Sequence, residues 1–379
     1  MEKSTIQVCT NCVMDTTDPA IVFDENGVCD FCNNFYQHIL PAWKPNEDGQ
    51  KELEKIAQTI RQSRKKNKQY DCIIGMSGGV DSSYLCYVAK EIMHLNPLIY
   101  IVDTGWNLDS TVENIEKIVG SLDLDTHTEV IDWEEMKDLQ RSYLFSQVPY
   151  QDYPQDHAIF SGLYNFAVKH KIQYVLTGSN IATESIRPPM EWAYINDLRM
   201  MKAIHKRFGR VPLKTFPFCG MFKYRIYYAY IKGMKRVAPL DYLPYEREKI
   251  QAFLTERFDW QPYGNKHFEN VFTRFYEGYY LIKKFGYDKR KCYLSNDILA
   301  KEITRDQALG ILETDPYPEE QALEDMRFIA EKLDFTFEEF QELLSQPNKT
   351  YRDYPNSFWW IKQALKFATL VGIENRVFR

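Results

Sequence analysis

No stretch of this 379-residue chain approaches the 18 or so consecutive apolar residues that a membrane-spanning helix needs, which argues against bilayer insertion. The start, Met-Glu-Lys-Ser-Thr-Ile-Gln-Val, lacks the basic, apolar and small-residue regions of a secretory signal, and the chain is therefore expected to be cytoplasmic. Excess positive charge is also missing. Lys and Arg number 47 against 53 Asp and Glu, so no global basic field is present to recruit nucleic acid. Internal repeats and low-complexity segments are absent, as is the Walker pattern of four residues between glycines followed by Gly-Lys-Ser/Thr. Hydrophobic residues at 44% and charged residues at 26% are the balance of an ordinary globular protein of two or three domains. Eight cysteines in a reducing compartment argue for metal or buried thiols rather than disulfides.

The most informative segment is Gly75-Met76-Ser77-Gly78-Gly79-Val80-Asp81-Ser82-Ser83, directly behind the apolar run Cys72-Ile73-Ile74. A buried strand that breaks into Ser-Gly-Gly and then starts a helix is built to hold phosphate. The glycines permit a tight turn and close backbone approach, and the new helix aims free N–H groups and its positive dipole end at an anion. Ser77, Ser82 and Ser83 add hydroxyl donors, and Asp81 stands where a helix cap or a Mg²⁺ contact is useful. The SGGVDS run resembles the PP-loop of the ATP pyrophosphatases, which cleave ATP between the α and β phosphates.

Alternation of strands and helices around this loop predicts an α/β doubly wound parallel sheet. The strands are expected at 70–76, 98–103, 127–131, 172–177 and 236–240, with helices at 82–94, 110–122, 133–146 and 157–170. Ligands of such sheets sit at the carboxyl ends of the strands, where Asp103-Thr-Gly and Gly178-Ser-Asn follow the second and fourth. A polar helix is expected around 47–66. Beyond residue 245 the pattern is helical, at 245–257, 267–284, 288–302, 305–313, 319–333, 337–345 and 357–370, with capping boxes at Thr304/Gln307 and Thr336/Glu339. The expected organisation is a cysteine-rich subdomain (1–45), a nucleotide domain (46–244) and an α-helical lobe (245–379).

Cys9-x2-Cys12 and Cys29-x2-Cys32, sixteen residues apart, have the spacing of a four-cysteine zinc site. Asp24-Glu-Asn-Gly27 reads as the hairpin turn that delivers the second pair. With every ligand position filled by protein, such a site is structural. An iron–sulfur cluster on the same cysteines is the alternative. Basic residues cluster at Arg61–Lys68, Lys202–Arg210, Lys223–Arg236 and Lys283–Lys291. The first reads as a solvated helix end, and the later ones suit an anionic substrate.

Three further stretches are distinctive: Trp260-Gln-Pro-Tyr-Gly-Asn-Lys266-His267-Phe-Glu269-Asn; Phe272-Thr-Arg274-Phe-Tyr276; and Lys284-Phe-Gly-Tyr-Asp288-Lys289-Arg290 with Leu294-Ser295 and Ile303-Thr-Arg305-Asp. With the cysteine pairs and SGGVDS, they make the chain resemble, over nearly its whole length, the N-acetyl sugar amidotransferase family of bacterial O-antigen and nonulosonic-acid biosynthesis. The resemblance implies conversion of an acetamido group on a sugar, or sugar nucleotide, to an acetamidino group, with ATP, Mg²⁺ and Zn²⁺ as cofactors. Ser77, Gly78, Gly79, Asp81, Ser82 and Ser83 would hold the triphosphate, with Asp103 and Gly178 near the nucleoside or metal. Lys266, Arg274, Lys289 and Arg290 are candidates for pyrophosphate and sugar contacts, and His267 and Glu269 for positioning ammonia or the acetamido group. Against these roles stands the plainer reading of Lys-His-x-Glu as a surface pairing on a helix. The resemblance also implies a separate glutaminase and cyclase-like protein pair as the ammonia source. A PP-loop tRNA-modifying enzyme and a non-catalytic nucleotide-binding module remain the competing readings.

Overall fold

The computed structural model describes residues 6–63, 69–193, 197–370 and 372. Five parallel strands form one sheet, in the order β3-β2-β1-β4-β5. They are β1 (Cys72–Gly75), β2 (Pro97–Asp103), β3 (Thr126–Val130), β4 (Tyr174–Leu176) and β5 (Lys235–Val237). β1 pairs with β2 from Cys72↔Pro97 to Gly75↔Tyr100, and with β4 at Ile73↔Val175. The centre of the sheet is buried on both faces, which is why Cys72-Ile-Ile reads as an unbroken apolar run rather than an alternating one. The sheet winds outward in both directions from β1, so the crevice between the carboxyl ends of β1 and β4 is its topological switch point.

Helices cover both faces. On one lie α1 (Glu47–Ser63), α2 (Val80–Tyr87), α3 (Asp109–Ser121) and α7 (Arg247–Phe258), packed around Ile74, Ile99 and Leu176. On the other lie α4 (Trp133–Ser146), α5 (Tyr153–Lys169) and α6 (Leu198–Phe208), packed around Ile73, Tyr100 and Val175. The predicted end of α1 at 64–66, and most of the basic run 61–68, lie outside the described residues. Residues 245–260 bury Tyr245, Leu254 and Trp260 in the core of the sheet's first face.

Beyond the sheet, a further core forms around Phe272, Leu281 and Phe340, built by α8 (Val271–Phe275), which continues as π-turns over Tyr276–Phe285, and by α11 (Glu319–Lys332) and α12 (Phe337–Ser345). Between them in the chain, α9 (Arg290–Leu299) and α10 (Arg305–Leu312) pack Leu294 and Ala308 with Val13 beside the cysteine pairs, and after them α13 (Phe358–Leu370) sets Phe358 against the sheet's second face. Both expected capping boxes form, on Thr304/Gln307 and Thr336/Glu339.

Two boundaries differ from expectation in ways that matter for the site. The helix expected at 157–170 starts at Tyr153, because Pro154 fits the first turn, where no N–H is needed. The helix expected at 267–284 starts only at Val271, where the Asn270 side chain accepts the Thr273 N–H. Lys266, His267 and Glu269 therefore lie on a turn, with His267 at φ +67°, and not on a helix surface.

Candidate active site

The phosphate loop is knit by its own hydroxyls. The Ser77 N–H donates to Ser82 Oγ at 3.3 Å, the Gly79 N–H to Ser77 Oγ at 3.3 Å, and Ser82 Oγ to the Gly79 carbonyl at 3.1 Å. Gly78 has φ +79°, and a Cβ there would stand 2.6 Å from Thr111 Cγ2, so both the turn and its packing require glycine. Gly178, after β4, meets the loop from the other side of the crevice, where a Cβ would lie 3.0 Å from the Asp81 carbonyl carbon. Ser83 turns inward and is wholly buried, away from the crevice.

The segment 260–270 crosses over this loop and braces it. Trp260 Nε1 donates to the Gly78 carbonyl at 3.1 Å, and the Val80 N–H donates to the Tyr263 hydroxyl at 3.3 Å. Thr111 Oγ1 and the Leu108 N–H both donate to the Glu269 carbonyl. The Glu269 carboxylate is thereby set over the loop, with Oε1 3.3 Å from where a Gly79 Cβ would be, while its buried Oε2 has no hydrogen-bond partner among the described residues. A carboxylate with a free oxygen beside a phosphate loop repels a triphosphate unless a cation lies between them, so Glu269 fits the expected Mg²⁺.

Asp81 accepts from the Tyr245 hydroxyl and lies 3.9 Å from Lys266 Nζ. Lys266 also donates to Thr183 Oγ1 and Glu184 Oε1, both at 3.2 Å. Burial opposes its charge, but Glu184 and Asp81 outweigh burial and hold its pKa above the ordinary lysine value. The lysine thus enters the crevice as a cation.

A cavity of about 540 Å³ opens from Ser77 between the sheet and the helical lobe. Lys266, His267, Glu269 and Lys289 line it, which brings four expected site residues together with the loop. Lys289 donates to Glu277 Oε1, and the Tyr293 hydroxyl donates to Glu277 Oε2 at 3.0 Å. Burial opposes the Lys289 charge and is outweighed by Glu277, Asp152 and Asp156, so its pKa is raised. Burial likewise opposes ionisation of Glu277, but Lys289 and His267 hold its pKa below the ordinary glutamate value.

Several cavity residues escaped the sequence reading. Asp152 and Asp156 stand one turn apart at the start of α5, and their pKa values are raised, first by withdrawal from bulk water. Thr273 Oγ1 and Gln155 Nε2 donate to Asp152 at 2.8 and 2.7 Å. Gln155 Oε1 in turn accepts from Thr104 and Asn270, which ties the end of β2 to the helical lobe. The i, i+4 spacing of the two aspartates was visible, but the expected helix start at 157 left both outside it.

Three expected residues are placed elsewhere. Arg274 makes a bidentate pair with Asp325 at 2.8 Å inside the helical lobe. Arg290 binds Asp288 at 2.7 Å and donates to the carbonyls of Ile311 and Thr314, which fastens α9 to the end of α10. Both arginines are spent on packing, and neither lines the cavity. Asp103 Oδ1 accepts the Gly105 N–H at 2.8 Å, and its neighbour Thr104 faces the cavity instead.

The sulfurs of Cys9, Cys12, Cys29 and Cys32 lie within 4.8 Å of one another. Separations of 3.6, 3.7 and 4.0 Å are close to the roughly 3.8 Å edge of a tetrahedron with Zn–S bonds of about 2.3 Å. The expected hairpin forms, with a Phe23↔Cys29 bridge and Gly27 at φ +75°. The N–H groups of Asn11, Cys12 and Cys29 point at Cys9 Sγ, as a thiolate requires. Arg305 Nε donates to the carbonyls of Cys9 and Cys12, and Ser295 Oγ accepts the Val13 N–H, so two of the distinctive sequence positions clamp this knuckle to the helical lobe.

A strand–loop–helix with this geometry, at the switch point of a parallel sheet, defines a PP-loop protein of the ATP-utilising class. Residues 52–151 match the family described as NAD synthase, and residues 269–366 match the LPS biosynthesis protein WbpG-like, C-terminal domain. Together these matches support the lipopolysaccharide-related PP-loop amidotransferase family that the sequence resembles. No curated protein matches the chain.

Among solved structures, the chain is similar to an NH3-dependent NAD synthetase from Campylobacter jejuni (21% identity, 35% of this chain and 58% of that one, TM-score 0.28). It is also similar to an NMN synthetase from Francisella tularensis (14% identity, 76% and 94%, TM-score 0.38). A third is the U34-tRNA thiolase NcsA from Methanococcus maripaludis (16% identity, 79% and 90%, TM-score 0.28). The chain spans little more than half the length of the Campylobacter protein.

Proposed function

We propose that this protein uses ATP to convert an acetamido group on a sugar to an acetamidino group. The observation that carries the reading is the joining of the PP-loop, Lys266, Lys289 and Glu269 around one cavity that extends into a WbpG-like helical lobe. An amide oxygen is a poor leaving group, so ammonia cannot displace it unaided. In the proposed first step the amide oxygen attacks the α-phosphorus, an O–P bond forms, the α–β bridging bond breaks and pyrophosphate leaves. Ammonia then adds to the imidate carbon and loses a proton, and the C–O bond breaks to release AMP.

The chain's own residues would divide this work. The N–H groups at the start of α2 and the Ser77 and Ser82 hydroxyls hold phosphate oxygens, and Lys266 offsets charge on the departing pyrophosphate. Mg²⁺, held by Glu269, would supply Lewis-acid neutralisation of the phosphates. The helical lobe closes the cavity over the sugar and keeps water from the imidate, which hydrolysis would return to amide.

The four cysteines outside the cluster fit no thiol chemistry. All are buried, and burial pushes the Cys86 thiol up to about 12 and Cys219 up to about 11, with Cys72 and Cys292 also raised. This weighs against a thiolation enzyme, and it favours an ammonia supply from a separate glutaminase over one within the chain. The test is pyrophosphate release from ATP with an acetamido sugar plus ammonium, set against bulk tRNA. Release driven by tRNA and not by the sugar would overturn the reading.

A further inference from the structure

Residues 198–240 contain no Asp or Glu and eleven Lys or Arg, in a chain whose formal net charge is −6. This local reversal of sign covers α6 and the π-helical segment Lys223–Ile231 that leads into β5. The chemistry proposed so far makes no use of that π-helical segment.

With i→i+5 hydrogen bonding, Phe222, then Ile226 and Tyr227, then Tyr230 and Ile231 recur once per turn along one side of this helix. That side is bare: Phe222 is 72% exposed, Tyr230 78% and Ile231 67%. Tyr224 and Tyr228 lie on the other side, against the core of the sheet's second face, so the helix is anchored without the apolar strip. The helical register sets Lys223 and Lys232 along one border of the strip and Arg225 along the other, and all three are exposed. They lie over the rings of Tyr228, Tyr227 and Tyr224, contacts that orient the cations without cancelling their charge. Lys223 also donates to Asn165 Oδ1 and the Phe218 carbonyl, both neutral. Lys235 and Arg236 are engaged elsewhere: Lys235 shares a surface hollow with Glu52 and Asp241, and Arg236 acts on Glu184.

We infer that this strip seats the protein on the surface of an anionic lipid bilayer. Phe222, Tyr230 and Ile231 meet the acyl boundary, and Lys223, Arg225 and Lys232 lie among the headgroup phosphates. A helix with aromatic and aliphatic side chains on one side and flanking cations is the form that lies in that interface. No helix among the described residues is long and apolar enough to cross a membrane, so the contact is with its surface. Other occupants fit less well. A second copy paired two-fold would bring the same cations face to face. RNA stacks its bases on aromatic rings, and Ile226 and Ile231 offer none. Protein interfaces are depleted in lysine, whereas here lysines border the strip at both ends.

Co-sedimentation of the full chain with vesicles of equimolar phosphatidylglycerol and phosphatidylcholine, set against phosphatidylcholine alone, is the test. Binding to the anionic vesicles only, weakening as salt rises, is expected. Arg225→Gln/Lys232→Gln is expected to bind on the order of thirtyfold more weakly, the share of two cations, with a shallower salt dependence. Tyr230→Ser/Ile231→Ser removes apolar contact alone and should weaken binding at low and high salt alike. All four side chains are exposed, so the urea midpoints of both variants should match that of the unaltered protein. No binding to the anionic vesicles, or binding that neither variant weakens, would overturn the inference. Bulk tRNA bound in place of vesicles, and released by Arg225→Gln/Lys232→Gln, would overturn it by giving the strip to RNA. A dimer in sedimentation velocity that Tyr230→Ser/Ile231→Ser dissolves would overturn it by giving the strip to a second copy. Neither ATP nor sugar enters the assay, so its failure leaves the proposed reaction standing, and failure of that reaction leaves the vesicle result standing.

Discussion

Glu269 and Glu277 are both carboxylates on the wall of one cavity, and their partners give them different work. Glu277 is closed into a pair with Lys289 and Tyr293, whereas Glu269 keeps a buried oxygen with no hydrogen-bond partner among the described residues above the phosphate loop. Glu269→Gln is expected to raise the Mg²⁺ concentration needed for half-maximal pyrophosphate release and to lower the rate on the order of a hundredfold. An unchanged Mg²⁺ dependence would remove Glu269 from the metal site. Lys289→Met should instead cost about 3–5 kcal/mol of stability, because it strands a buried carboxylate. The double variant Lys289→Met/Glu277→Leu should recover much of that in urea unfolding.

The pH dependence of the Glu277–Lys289 pair follows from the directions of its shifts. The lowered glutamate stabilises the fold above its unfolded value of about 4.3, and that contribution is lost as pH falls through the lower folded value. The raised lysine contributes fully below about 10.4, and its contribution is lost as pH rises through the higher folded value. The pair therefore stabilises throughout the neutral range, and urea midpoints of the unaltered protein and the double variant should converge in acid.

At the level of elements, the segment 260–270 decides how rigid the phosphate loop is. Trp260 holds the Gly78 carbonyl and Tyr263 meets the Val80 N–H, so the loop is fixed by residues about 180 positions away. Gly78→Ala adds left-handed strain of about 1–2 kcal/mol and a contact 2.8 Å from the Thr111 carbonyl oxygen, which cannot rotate away. ATP affinity, read by nucleotide titration, is expected to fall while α2 and the sheet persist. Trp260→Phe removes the Nε1–H donor and also leaves a cavity, because the larger indole is wholly buried in the core. It should raise the KM for ATP several-fold and lower thermal stability by more than the about 1 kcal/mol of one neutral hydrogen bond.

For the molecule as a whole, the cysteine knuckle is a clasp between the amino-terminal segment and the helical lobe. Elemental analysis should find one zinc per chain, and iron in its place would mark the alternative cluster. Arg305→Ala removes the donor to the Cys9 and Cys12 carbonyls, and is expected to speed metal loss to a chelator while the four ligands remain. The isolated chain should make amidine from ammonium at high pH and not from glutamine. Efficient use of glutamine by the chain alone would remove the need for a partner.

The sequence alone determined the local features. The strand–Ser-Gly-Gly–helix turn, the alternation that makes a parallel sheet, the two capping boxes and the Cys-x2-Cys spacing each depend on residues within a few positions of one another, so periodicity and turn chemistry suffice to read them. Lys266, Glu269 and Lys289 were legible only as members of a motif. What the motif could not separate was Lys289, which faces the cavity, from its neighbour Arg290, which is turned onto Asp288 and the end of α10. Nor could it show that Trp260 and Arg305 clamp distant backbone carbonyls, or that Asp152 and Asp156 share a cavity with Glu277. Those outcomes depend on which side chains from remote segments meet when the helical lobe closes on the sheet. The balance there, between the cost of burying a charge and the gain from a partner, is set only by tertiary contact.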